Sequence, residues 1–246
     1  MSIVAKLPKM GHGVAAILAA CTLALAASGC ATGGENPRDP YENFNRAMFS
    51  VNEGIDKAVT KPVAKAYDSA APLPVKAGVG NFFGNVADLW TGVNNGLQGK
   101  GGDAATDIAR LLVNSTLGIF GLFDVASELG LEKHEEDFGQ TLARWGVGDG
   151  AFVFLPVIGP RTMRDAGAFV VDSAADPVGW GINEIPVLNS TRALRIVDVR
   201  AGLLPADQVV EQAAFDKYSY IRDAYLQRRR SQIYDGRPPR QQLEDE

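Results

Sequence analysis

Between Pro74 and Leu97 the apolar residues Val75, Val79, Phe82, Val86, Leu89, Val93 and Leu97 recur at spacings of four and three, the period of one helix face. The opposite face carries Asn81, Asn85, Asn94 and Asn95 with several glycines, and Asp88 is the one charged residue between Lys76 and Lys100. An amphipathic helix in water normally sets Lys, Glu and Arg on its wet side. This one does not, so whatever the chain folds into must give an uncharged, strongly periodic helix a home. The bias is regional. Residues 77–131 hold seven charged side chains in 55 positions, residues 205–246 hold fifteen in 42, and 16 of the 27 glycines fall between 77 and 160. The middle of the chain suits a less aqueous setting than its ends.

The segment "RWGVGDGAFVFLPVIGP" (144–160) extends the pattern. It is too short and too broken to span a bilayer as a helix, which needs about 20 apolar residues. It is also too apolar for an ordinary surface loop.

The N-terminus reads as an export signal. Lys6 and Lys9 precede a short apolar run that closes on small residues, "ASGC", a pattern that marks a cleaved leader and not structure. "ASGC" (27–30) resembles a lipobox with Ala27 in place of the usual Leu; "LAAC" (18–21) fits locally but leaves a shorter apolar run. Cys30 is the favoured lipidation site. Several acyl chains there would exceed the two signals that stable anchoring needs. Ala31, not Asp, follows Cys30, which favours the outer membrane. Removing residues 1–29 takes away Lys6 and Lys9 and leaves 22 Lys and Arg against 29 Asp and Glu, a net of −7. That balance argues against nucleic acid and against polybasic attachment to anionic lipid. Cys30 is then the lone cysteine, so no internal disulfide assists folding.

After a polar tether (30–38), "DPYENFNRAMFSVN" opens the fold. Asp39 reads as an N-cap, Pro40 as the first helical position and Glu42 as the partner of a capping box. Phe44, Met48, Val51 and Ile55 share a face, and Pro62 interrupts or restarts the helix. "QGKGG" makes a turn, Asp103 caps the following helix, and the two helices form an antiparallel hairpin. Pro160 begins a further helix, "DPVGWGINEIP" is a connector, 189–200 is helical, and "ADQVVEQAAFDKYSYIRDAYLQRRR" is one charged helix with Tyr218, Ile221 and Tyr225 on one side. Arg228, Arg229 and Arg230 suit its C-terminal dipole. The tail, 233–246, reads as disordered. Beyond "AFVFLP" there is little strand grammar, and the expected fold is all-α.

Catalytic chemistry is missing. The only histidine after the leader is His134, in the acidic stretch "EKHEEDF", and no G-x-S-x-G elbow exists to build a hydrolase nucleophile. Zinc-type sites need several His or Cys. "GVGNFFG" and "GVGDG" both miss the dinucleotide fingerprint. No cofactor or metal is called for, and the chain reads as a non-enzyme.

Four ordered blocks carry a resemblance: "DPYENFNRAMFSVN" (39–52), "NFFGNVAD…VNNGLQG" (81–99), "ARLLVNSTLGIFGLFDVA" (109–126) and "EDFGQTLARWGVGDGAFVFLPVIGPRTMRD" (136–165). Together they resemble the MlaA, or VacJ, family of lipoproteins, over a domain covering 39–232. The resemblance implies a ring-like, all-α body of amphipathic helices lying in one leaflet, with a central amphipathic pore. It implies an outer-membrane lipoprotein, anchored on the periplasmic side, that returns mislocalised phospholipid from the outer leaflet. A trimeric porin and the periplasmic carrier MlaC are the implied partners, and an ATP-driven inner-membrane complex the eventual recipient. Non-helical backbone at membrane depth is tolerated only where it is buried in protein or lines a watery cavity, so 144–160 is expected to line or gate the lipid path. Gly146, Gly148 and Gly150 would lend mobility, Phe152, Phe154 and Val157 an acyl-compatible wall, and Asp149, Arg161 or Arg164 headgroup contacts. The same glycines and aromatics could instead serve plain packing. The rival reading of the whole chain is a porin-associated scaffold that moves no lipid.

Overall fold

The computed structural model describes residues 36–213 and 215–239. The leader, Cys30, most of the tether and residues 240–246 lie outside them. Helices dominate: α1 (Glu42–Ile55), a π-helical turn (Asp56–Thr60), α2 (Lys61–Ala70), α3 (Leu73–Leu97), α4 (Gly101–Thr116), α5 (Val125–Glu128), α6 (Phe138–Arg144), α7 (Met163–Ala174), α8 (Val178–Gly181), α9 (Ile185–Gly202), α10 (Leu204–Ala213) and α11 (Lys217–Ile233). A two-stranded antiparallel hairpin, β1 (Phe152–Leu155) with β2 (Gly159–Thr162), pairs Phe152 with Thr162 and Leu155 with Gly159. The architecture is the all-α one expected, with "AFVFLP" supplying the first strand of its hairpin. Among the described residues, no helix is long and apolar enough to cross a membrane.

α3 and α4 form the expected antiparallel hairpin and the most extensive helix pair. Gly92 allows it: a Cβ there would sit 3.2 Å from Ile108 and 3.3 Å from the Ala104 carbonyl. The orientation of the pair overturns the simplest reading of its sequence. The side that faces inward is polar, with Asn85, Asp88, Thr91, Asn94 and Asn95 of α3 and Asp107, Arg110 and Asn114 of α4 all buried. Of the periodic apolar residues, Val75, Val93 and Leu97 are exposed, as are Leu73 and Leu112, while Val79, Phe82, Val86 and Leu89 are half-buried. α1 repeats this. Asn45 is fully buried while Val51 and Ile55, on the apolar face, are exposed. Hydrophobic periodicity identifies which residues share a face; it does not say on which side the apolar solvent lies.

Four local expectations are corrected. Asp39 is no N-cap: α1 starts at Glu42, and the Asp39 carboxylate is wholly buried, accepting from Asn45 Nδ2 (2.7 Å), the Tyr218 hydroxyl and Arg222 (3.2 Å). Burial with three donors outcompetes a surface cap. Asp103 lies in the first turn of α4, but the cap position is Lys100. Pro160 belongs to β2, and α7 begins at Met163, where the Thr162 hydroxyl accepts from the Asp165 N–H. Finally, the long C-terminal helix is two helices. Asp216 caps α11 by accepting from the Tyr218 N–H and pairs with Arg46 at 2.6 Å, which fixes the break. Pro62, by contrast, restarts the chain as expected, in the first turn of α2 after the π-helical turn, where its missing N–H costs nothing.

An aromatic cluster, Phe152, Phe154 and Tyr218, is buried and bordered by Met48, Phe49, Ile221, Tyr225 and Leu226. It joins β1 to α1 and α11, with Phe49 edge-on to Phe154 at 5.5 Å between ring centroids.

Candidate functional site

The hairpin is held along its open edge by two asparagines one heptad apart on α1. Asn45 donates to the Phe152 carbonyl (3.1 Å) and accepts from the Phe154 N–H (2.8 Å). Asn52 donates to the Leu155 carbonyl (2.9 Å) and accepts from the Val157 N–H (2.7 Å). A strand edge that would otherwise expose unpaired backbone groups is thereby finished by side chains. Those asparagines stand at a helical i, i+7 spacing in "ENFNRAMFSVN". That spacing was the one signal in the sequence for this docking.

The predicted residues of 144–160 divide into two sets. Phe152 and Phe154 are core, 1% and 4% exposed, in the aromatic cluster. Gly146, Gly148 and Gly150 lie in an exposed stretch, 144–150. Gly146 (φ +91°) and Gly150 (φ +67°) occupy the left-handed region, and a side chain added at Gly148 would meet nothing within 4 Å. Val157, at the hairpin tip, also has positive φ (+68°) and is 76% exposed. A β-branched residue there is strained. Val147, Val157 and Ile158 are therefore the outward apolar members, and the Trp145 indole N–H, donating to the Leu97 carbonyl at 3.1 Å, ties them to the end of α3.

The charged candidates also separate. Asp149 and Arg164 pair with each other, and Arg164 also reaches Asp165 (2.9 Å). Asp165 in turn meets Arg229 Nε at 2.9 Å, and Arg229 reaches Asp137 at 2.6 Å. The chain Asp149–Arg164–Asp165–Arg229–Asp137 thus stitches the glycine loop to α7, α11 and the start of α6. Burial alone would raise the Asp165 carboxyl, but Arg229, Tyr225 and Arg164 outweigh it and hold it below the usual range. Arg229 was read as a dipole partner at the end of a surface helix; it is buried and its charge is spent internally.

Arg161 is different. Among the described residues no carboxylate pairs with it; its guanidinium donates to the Pro160 carbonyl at 3.3 Å and sits 5.5 Å from the Phe169 ring centre. It borders a cavity of about 250 Å³ lined also by Asp137, Asp165, Ala168, Asp172, Tyr225 and Arg228. Asp172 Oδ1 takes both of that carboxylate's hydrogen bonds, from the Trp90 indole (2.8 Å) and the Phe138 N–H (2.9 Å). Burial pushes its carboxyl up, and those two donors do not offset it.

A second polar interior lies between α3 and α4. Arg110 makes a two-pronged contact with Asp124 (both 2.9 Å) and reaches the Leu131 carbonyl (2.6 Å), while Lys133 pairs with Asp88. Asn114 donates to Asp124 (3.0 Å) and accepts from the Ala126 N–H (2.8 Å). This network suspends the loop 117–123, whose Leu117, Ile119, Phe120, Leu122 and Phe123 are all exposed. Gly118 and Gly121 make the loop possible. A Cβ on Gly118 would lie 2.1 Å from the Phe123 carbonyl oxygen, and Gly121 (φ +84°) abuts Asn85. Ile119 and Phe120 hold positive φ (+51° and +55°), backbone strain held in place by the polar network beneath. His134 accompanies the network, its Nδ1 2.9 Å from Asp107.

The family model "MlaA lipoprotein" matches residues 37–232. The Escherichia coli K12 protein "Intermembrane phospholipid transport system lipoprotein MlaA" is 35% identical over 207 residues, 81% of either chain. A Rickettsia typhi protein is 36% identical over 196 residues, 79% of this chain and 78% of its own. A solved structure described as "Structural basis for maintenance of bacterial outer membrane lipid asymmetry" superposes with a TM-score of 0.69 at 31% identity, covering 81% of this chain and 99% of that one.

Proposed function

Since this chain belongs to the MlaA lipoprotein family, we propose that it is a phospholipid-transport lipoprotein of the outer membrane, anchored through Cys30, that removes mislocalised phospholipid from the outer leaflet. The path is a passive amphipathic passage through a ring-like body lying in the inner leaflet. A periplasmic carrier of the MlaC kind takes the lipid onward, and a trimeric porin holds the body in place. No step requires catalysis or a bound cofactor.

One observation carries the reading. Side chains are distributed inside out for a protein in water: Asn45, Asn85, Asp88, Asn94, Asn95, Asp107, Arg110 and Asn114 are buried, while Leu112, Leu117, Phe120, Val157 and Ile196 are exposed. Exposed apolar surface on this scale marks a membrane or partner interface. Helices whose outward faces are apolar and uncharged suit one leaflet, where they lie in the plane without spanning it. The exposed glycine stretch 146–150 and the hairpin tip at Val157 are the proposed gate. Gly148 has room to move, and the Asp149–Arg164 pair is the latch that opens when a headgroup competes for Arg164.

Cells lacking the protein test the proposal when outer-leaflet phospholipid is assayed by surface labelling. Exposure should rise on deletion and return to the parental level with the wild type, but not with Cys30→Ala. Unchanged exposure in the deletion would replace the conduit by the porin-bound scaffold.

A further inference from the structure

The 250 Å³ cavity beside the hairpin is lined by two opposite charges that, among the described residues, have no ion-pair partner. Arg161 has no carboxylate in ion-pair range among the described residues, and Asp172 has no cation; both line this space. The remaining charges around it are largely satisfied. Arg229 lies between Asp137 and Asp165, and the Asp165 carboxylate also accepts from the Tyr225 hydroxyl at 2.7 Å. Arg228 makes only a long, solvent-exposed contact with Glu135, 3.6 Å, which water screens, so it adds a second positive group at the rim.

We propose that this cavity is a subsite for a zwitterionic phosphate–ammonium headgroup, with Arg161 toward the phosphate and Asp172 toward a primary ammonium. The proposal rests on the lipid-transport reading and deepens it by naming the headgroup class. The spacing supports it. The Arg161 guanidinium, reaching from β2, lies over Phe169 of α7, and Asp172 follows Phe169 by three residues, so Arg161 rests beside the helix face that carries Asp172. A two-carbon linker joins phosphate and ammonium in a headgroup that presents both charges to one cavity. Ala168 contributes a small side chain to the wall, which leaves the headgroup room. Asp172 Oδ1 is fixed by Trp90 and Phe138, which leaves Oδ2 as the acceptor for a ligand's N–H. An ammonium with hydrogens to donate satisfies that oxygen better than a methylated one. A phosphate headgroup lacking a cation meets the Asp172 carboxylate unneutralised, and selectivity arises from that repulsion as much as from attraction.

Titration calorimetry on the full-length, lipidated protein in a mild detergent tests this with four probes: dihexanoyl-phosphatidylethanolamine, dihexanoyl-phosphatidylglycerol, phosphoethanolamine and inorganic phosphate. The wild type should prefer the ethanolamine lipid over the glycerol lipid by about tenfold, the scale of one charge-assisted hydrogen bond. Asp172→Asn keeps the Oδ1 acceptor for Trp90 and Phe138 and should bring the two lipids within about twofold of each other. Arg161→Gln should weaken both. Equal wild-type binding of the two lipids, or a preference that survives Asp172→Asn, overturns the proposal. Phosphoethanolamine or inorganic phosphate binding as tightly as the short-chain lipid also overturns it, because the site then serves a soluble anion. The transport reading is judged separately by outer-leaflet exposure in the deletion strain, so a selective subsite and a transporter can fail independently.

Discussion

In a water-soluble helical protein an exposed asparagine is expendable and a leucine two residues away on the apolar face is not. Here the order should reverse, and α4 offers the comparison within one turn. Asn114 is 3% exposed; it accepts from the Ala126 N–H at 2.8 Å and donates to Asp124 at 3.0 Å. Asn114→Ala removes a hydrogen bond to a charged acceptor, worth about 1.5–3 kcal/mol, and leaves the fully buried Ala126 N–H without a partner, which costs about 1–3 kcal/mol. The expected loss is about 3–5 kcal/mol, a large share of the roughly 5–15 kcal/mol that stabilises a domain. Leu112 is 60% exposed, so Leu112→Ala should change stability by no more than about 0.5 kcal/mol. Urea unfolding of the full chain in a mild detergent, followed by helical circular dichroism, measures both, and unchanged m-values would license the comparison. If Leu112→Ala costs as much as Asn114→Ala, the polar interior is not what holds this hairpin together and the reasoning fails.

Other consequences follow from single contacts. Gly118→Ala should prevent the 117–123 loop from forming, since its Cβ would lie 2.1 Å from a backbone oxygen; limited proteolysis of the variant should show new cleavage there. Gly148→Pro, at a position with nothing within 4 Å, should leave the melting temperature nearly unchanged while lowering phospholipid removal in the surface-labelling assay. Intact removal would exclude a moving gate at that glycine. Burial, aided by its hydrogen bond to Asp198, pushes the Tyr67 hydroxyl up to about 12. The folded state then holds that proton more tightly than the unfolded chain, whose tyrosines titrate near about 10. The stabilisation is full below about pH 10 and is lost as pH rises through about 12. Tyr67→Phe should remove the corresponding component from an ultraviolet alkaline titration.

Much of this fold was legible in the sequence because helix period and turn chemistry are local. The α3–α4 hairpin, the restart at Pro62 and the helix containing 189–200 all follow from spacing, glycine and proline. What spacing could not reveal was polarity of orientation. Val75, Val93 and Leu97 share a face whether that face meets a protein core or an acyl chain, and spacing alone does not say that the asparagine side is the buried one. The other differences are long-range. Asp39 has the local signature of a cap, but Tyr218 and Arg222 from α11 claim it. Asp216 breaks a continuous helical pattern because Arg46 on α1 holds it. In the candidate site, Gly146, Gly148, Gly150 and Val157 are exposed, whereas Phe152 and Phe154 are drawn inward by Phe49 and Tyr218. Arg161 and Asp172 share a cavity only because β2 leads directly into α7.

The central claim is that the apolar outer faces meet lipid and the polar faces meet protein. Single spin labels at Phe120 and at Arg228, in the full chain reconstituted into phospholipid bilayers, test it most directly through collisional relaxation by oxygen and by a water-soluble nickel chelate. The account predicts a label at 120 that oxygen reaches and nickel does not, and a label at 228 that nickel reaches freely. Equal nickel access at both positions would place the 117–123 loop in water and contradict the account.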